Sequence, residues 1–218
     1  MNGAEYSGEV TSQAADKPAT REQSYLEYGS TFVDRLRTRL VCRSILGRVP
    51  RATALRVLDL GCGYHATFLH ALAARLSEGV GIDSRVSEET RHHPKLRFAL
   101  GKIESELPKQ PDSSFDVVLF ISVLEHLWTP EVWLEHCHRV LRPSGVLFVH
   151  VPTWYAKPIL ELSAFKFGTS PACEMDDHKM YYSKRDLWPM LVKAGFPPSR
   201  IRMRYTGAWM TLLSTATK

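Results

Sequence analysis

The residues most able to do chemistry begin in the run RVLDLGCG at 56–63, where a short apolar segment gives way to Gly61 and Gly63 with Cys62 between them. Glycine at such a turn lets the backbone approach a ligand closely, and the start of a following helix offers N–H groups to an anionic or polar one. Gly61, Gly63 and Ala66 satisfy the relaxed dinucleotide pattern G-x-G-x-x-[GA]. Asp59 argues for a different ligand. Two positions before the first glycine, its carboxylate would repel a pyrophosphate and attract a molecule carrying an ammonium and a sulfonium.

A second group of residues could move protons. His126, in LEHL, stands beside Glu125, and His178, in DDHKMYY, follows Asp177, which could orient it. Either histidine is a candidate base; a structural or cofactor-side role for the Glu125–His126 pair and a surface-loop position for His178 are the alternatives. His150 falls in an apolar run and reads as a hydrogen-bonded core residue, His92 and His93 as solvent-exposed, and His136 and His138 as lying on opposite sides of one helix. Cys42, Cys62, Cys137 and Cys173 form no C-x-x-C pair, so they read as free buried thiols. No metal site is expected.

These residues need a scaffold. RVLDL, GVGID at 79–83, LRFAL at 96–100, FDVVLFIS at 115–122 and VLFVHV at 146–151 read as buried strands. Phe68, Leu69, Leu72 and Leu76 recur at helical spacing, and Thr129 with Pro130 opens a helix bearing Val132, Trp133, Cys137, Val140 and Leu141 that RPSG ends. Phe32, Val33, Leu36 and Leu40 predict an earlier helix from Ser30 or Thr31 to about Gly47; its Arg35, Arg39 and Arg43 form a solvated face or reach an anionic substrate group. Ser183 and Asp186 predict a capped helix ending near Gly195, with Pro189 kinking it. RIRMRY and about 209–215 close the chain as strands. Alternating strands and helices predict an α/β fold, a doubly wound, mostly parallel sheet whose ligand crevice lies at the carboxyl ends of the strands.

The 218 residues suit one domain, expected over 25–218 after a disordered polar tail at 1–24. An insertion near 152–182, rich in Trp154, Tyr155, Phe165, Phe167, Tyr181 and Tyr182, with a helix near 156–167, reads as a substrate lid. The apolar fraction of 44% and charged fraction of 23% are ordinary for soluble proteins. Without an apolar run of membrane-spanning length or a signal segment, a cytoplasmic location is expected. A net charge of +5 without a block of like charges disfavours nucleic acid as a partner and leaves a homodimer open.

Four pieces in order, VLDLGCG at 57–63, GVGID at 79–83, FDVVLFISVLEHL at 115–127 and VLRPSGVLFV at 140–149, resemble the class I S-adenosylmethionine-dependent methyltransferases, especially the small-molecule branch with the ubiquinone-type O-methyltransferases. The resemblance implies a seven-stranded sheet whose final antiparallel strand inserts between its neighbours. It implies that Asp59, Gly61, Cys62 and Gly63 approach the methionine portion of S-adenosylmethionine. Asp83 is then the acid that accepts hydrogen bonds from the ribose hydroxyls, with Ser84 beside it. Ser122 falls at the same edge. Where related sequences commonly carry Gly-Asp near the adenine, this chain has Gly101 and Lys102, so Glu104 or the backbone near Ile103 must take over. The implied reaction is methyl transfer to an oxygen, less readily a nitrogen, of a small metabolite. An RNA or protein target, an inactive cofactor-binding module and a nicotinamide enzyme are the other readings; ISVLEHL replaces the [DN]-P-P-[YF] motif of many enzymes that methylate planar amino groups.

Overall fold

The computed structural model describes residues 41–158 and 178–218. The tail at 1–24, Arg35 and Arg39, most of the first expected helix, most of the 156–167 helix, and Phe165, Phe167, Cys173 and Asp177 lie outside the described residues. The chain runs β1 (Leu55–Leu60), α1 (Thr67–Leu72), β2 (Leu76–Asp83), α2 (Glu88–Arg91), β3 (Leu96–Leu100), α3 (Ile103–Glu106), β4 (Phe115–Ile121), α4 (Pro130–Val140), β5 (Leu141–Pro152), α5 (Lys184–Lys193), β6 (Ile201–Thr206) and β7 (Thr211–Thr217). One seven-stranded sheet has the order β3-β2-β1-β4-β5-β7-β6. Strand β7 is antiparallel to both neighbours, and the other pairings are parallel.

Side-chain alternation explains why the central strands read as unbroken apolar runs. Leu58, Leu60, Val118, Phe120, Leu147 and Val149 bury one face of the sheet against Leu134, Cys137 and Val140 of α4 and Leu187 and Leu191 of α5. Val57, Val117, Leu119 and Phe148 bury the opposite face with Leu69, Leu72, Ile45 and Val49. Both faces are covered, so no solvent-side polar alternation survives. Each fully buried large side chain contributes about 1.5–3 kcal/mol, which makes these strands a rigid base for whatever their carboxyl ends carry.

Local departures from the expected elements have physical causes. The helix predicted through Leu76 stops at Leu72: a 3-10 turn follows at Ala73–Arg75, and Leu76 starts β2 and packs in the core. An apolar residue at the right spacing serves a strand as well as a helix. Thr129 precedes α4, but at φ 52 its hydroxyl donates to the Trp128 carbonyl and caps nothing. Ser183 and Asp186 do form the reciprocal capping box of α5, and Pro189 sits inside that helix. The last strand begins at Thr211, after a turn where Trp209 has φ 74. Tyr181 and Tyr182 are buried and Tyr182 belongs to the core, whereas Trp154 and Tyr155 are exposed. Cys42, Cys62 and Cys137 are free and buried. His92 is exposed, whereas His93 is half-buried with its ring against His70. Among the described residues no helix is long and apolar enough to cross a membrane.

Candidate active site

The carboxyl ends of β1 and β2 are tied into one unit by the glycine turn. Gly61 and Cys62 donate backbone N–H bonds to the Ile82 carbonyl at 2.8 and 3.3 Å, and Gly63 N–H donates to Asp83 Oδ2 at 2.8 Å. Gly61 has φ 67, and a Cβ there would stand 2.3 Å from Val123 Cγ2, so only glycine lets the turn meet the loop after β4. Gly63 has φ 74 and open space where its Cβ would be. One glycine serves packing and the other leaves room for a ligand.

The two acids are held differently. Asp83 is half-buried; Oδ2 accepts from Gly63, while Oδ1 accepts from Arg85 N–H at 3.3 Å and Ser84 Oγ at 3.4 Å. A carboxylate offers about four lone-pair positions, so capacity remains for a diol. Asp59 is 1% exposed, and its Oδ2 has no hydrogen-bond partner among the described residues. Burial first, then the Asp83 charge, pushes its carboxyl from 3.8 up to about 8. The same carboxylate helps burial push the Cys42 thiol up to about 11, which places Asp59 on the face covered by the helical stretch at 41–46. An orphaned buried carboxyl oxygen is costly unless something cationic or hydrogen-bonding meets it. These residues therefore fit the ammonium-bearing cofactor implied by the sequence resemblance.

The flanking positions sort by what their side chains touch. The Cys62 thiol packs on β2, where a Cβ at Gly81 would stand 2.7 Å from its Sγ, so Cys62 offers the groove its backbone. The Ile103 side chain packs in the core and is 7% exposed. Lys102 is exposed, with its carbonyl accepting from Ser105 and Glu106 at the start of α3; Glu104 is also exposed. Ser122 has φ 55, donates its N–H to the His150 carbonyl at 2.7 Å and lies 3.5 Å from His150 Nδ1 through its hydroxyl. His150, 5% exposed, is the hydrogen-bonded core residue its position implied.

A second cluster forms where β4 ends. Leu124–His126 make a 3-10 turn that buries Glu125. The segment after residue 177 docks on it: Lys179 and Met180 donate N–H bonds to the Glu125 carbonyl at 2.7 and 3.3 Å, and the Tyr182 hydroxyl donates to the Leu124 carbonyl at 3.3 Å. This docking brings the His126 and His178 rings to 4.8 Å, with the Tyr181 hydroxyl 3.2 Å from His178 Nδ1. The two candidate bases thus lie side by side, and Glu125 stands with them. Adjacent Glu-His was visible in the chain; its meeting with a residue so distant in sequence was not.

The Methyltransferase domain family matches residues 21–198. A Mycobacterium tuberculosis protein named "Probable S-adenosylmethionine-dependent methyltransferase" is 36% identical over 105 residues, 47% of this chain and 38% of that protein. The ubiquinone biosynthesis O-methyltransferase of Mesorhizobium japonicum is 35% identical over 115 residues, 47% of this chain and 45% of that protein. The chain thus spans less than half the length of these curated relatives. A crystal structure of a SAM dependent methyltransferase from Archaeoglobus fulgidus superposes with TM-score 0.64 at 17% identity, covering 90% of this chain and 98% of that one, which shows the same fold. By the extent of the family match, on a sheet whose strand ends carry the paired acids and the glycine turn, this chain belongs to the methyltransferase domain family.

Proposed function

We propose that the chain transfers a methyl group from S-adenosylmethionine to an oxygen of a small-molecule acceptor. The observation that carries the reading is the buried Asp59 carboxyl with its orphaned oxygen, set beside a glycine turn and a second acid with spare accepting capacity. Asp59 answers the amino group of the cofactor, directly or through a water, and Asp83 answers its ribose hydroxyls. Gly61, Cys62 and Gly63 supply backbone approach. Ser84, Ser122 and the backbone at Lys102 and Ile103 border the groove. The match to a relative named as an O-methyltransferase supports oxygen as the acceptor atom.

When bound, the cofactor supplies an electrophilic methyl carbon and a thioether leaving group. The chain's own task is to align an acceptor oxygen, exclude water and let that oxygen lose its proton. His126 and His178 are the groups we assign to the acceptor hydroxyl. A single domain over 25–218, acting on a metabolite and not on nucleic acid, belongs to the same proposal.

Incubation of the full chain with isotopically labelled S-adenosylmethionine and a metabolite extract, followed by mass analysis, tests it. The expected result is a labelled product heavier by one methyl group, with the label on oxygen. Cofactor binding without any labelled product would leave a binding module in place of an enzyme.

A further inference from the structure

We infer that Glu125, His126 and His178 bind one divalent transition-metal cation of the zinc class at the acceptor end of the groove. One ligand atom from each lies within 4.8 Å of those of the other two. Around a zinc ion with ligands at about 2.1 Å, tetrahedral donors stand roughly 3.4 Å apart, so closure asks any pair to approach by at most about 1.4 Å, within the reach of side-chain rotation. The backbone needs no rearrangement. Lys179 and Met180 N–H groups already clamp the His178 segment to the Glu125 carbonyl, and His126 N–H donates to the Val123 carbonyl at 2.9 Å.

The donor set selects the class of ion. Two imidazoles and one carboxylate suit zinc and its transition-metal neighbours, whereas magnesium and calcium favour oxygen. Glu125 is 2% exposed, and a carboxylate oxygen of it stands in the same group as the two imidazoles. The Tyr181 hydroxyl, accepting from His178 Nδ1–H, would leave Nε2 with its lone pair toward the ion, as an outer partner does for a ligating histidine. Three protein ligands leave a fourth position open. Val123, two residues before Glu125, is the residue packed against Gly61, so the cluster adjoins the cofactor turn.

The role of the ion, though not its binding, rests on the methyl-transfer reading. An acceptor hydroxyl in the open position loses its proton more easily, because coordination lowers its pKa. The proton passes from the acceptor oxygen to solvent, that oxygen forms the new bond to the methyl carbon, and the carbon–sulfur bond breaks to leave the thioether. His126 and His178 then act as ligands and not as bases.

The test is calorimetric titration of the chelator-treated full chain with Zn²⁺ and, separately, Mg²⁺. One Zn²⁺ per chain is expected, with affinity at least about tenfold weaker in His178→Ala and Glu125→Gln, unchanged in His93→Ala, and without comparable Mg²⁺ binding. His178→Gln, checked for wild-type melting, replaces any variant that fails to fold. Absence of saturable Zn²⁺ binding would overturn the site, as would binding that survives both ligand variants or falls equally in His93→Ala. Zinc binding without methyl transfer would uphold the site while defeating the enzymatic reading, and chelator-insensitive transfer without zinc binding would do the reverse.

Discussion

The proposed cofactor edge and the proposed acceptor edge of this sheet are assembled in opposite ways. At the first, Asp59, the glycine turn and Asp83 come from two adjacent parallel strands, and Gly63 N–H closes directly on Asp83. At the second, Glu125 and His126 meet His178 through main-chain bonds between segments far apart in the chain. Local geometry makes the first site, and docking of a distant segment makes the second. Damage to the docked segment should therefore stop chemistry without touching cofactor affinity, whereas damage to the turn should do both.

The largest separation is expected from His178→Ala. Turnover should fall about 10²-fold or more, whether His178 meets the acceptor itself or holds the ion that does, while the dissociation constant for S-adenosylhomocysteine stays at its wild-type value. A parallel loss of cofactor affinity would show that the two edges are not separable. Next come the glycines. Gly61→Ala should lower both stability and cofactor affinity by about 2 kcal/mol or more, because a strained φ adds to the clash with Val123. Gly63→Ala should cost the free protein only about 1 kcal/mol, yet weaken the cofactor further, since the methyl enters the space left for it. Chemical denaturation and calorimetry together distinguish the two.

A separate effect is a pH dependence of the ligand-free protein. Asp59 keeps its proton up to about 8 in the folded chain but only to 3.8 when unfolded. Between those values the folded state binds more protons, so the contribution of Asp59 to stability is fully present below 3.8 and is lost as pH rises toward about 8. Asp59→Asn should flatten this slope, raising Tm near the upper end by roughly 2–4 °C for each kcal/mol recovered. Identical pH profiles for the two proteins would remove Asp59 from its buried position in the account.

What the chain disclosed before its structure follows the same division. The parallel sheet, the glycine turn and Asp83 were readable because each is a short-range pattern: an apolar run, a turn, an acid at a strand end. The same reasoning could not tell that Ile103, opening a helix, would face the core or that Cys62, just past a strand, would pack its thiol on β2, since side-chain direction there depends on the neighbouring elements. Leu76 was misassigned to a helix because its spacing fitted both elements. The meeting of Glu125, His126 and His178 had no spacing rule at all; it depends on Lys179 and Met180 finding the Glu125 carbonyl. Tyr182, one of the aromatics in the stretch read as a cover, packs in the core.

The central claim is that the paired acids at the ends of β1 and β2 hold the cofactor. Titrating wild type and Asp83→Ala with S-adenosylhomocysteine tests it most directly. The account predicts one site per chain and a loss of about 1–3 kcal/mol in the variant, the scale of a charged hydrogen bond. An unchanged dissociation constant in Asp83→Ala, or tight binding of a nicotinamide dinucleotide where S-adenosylhomocysteine gives no heat, would contradict it.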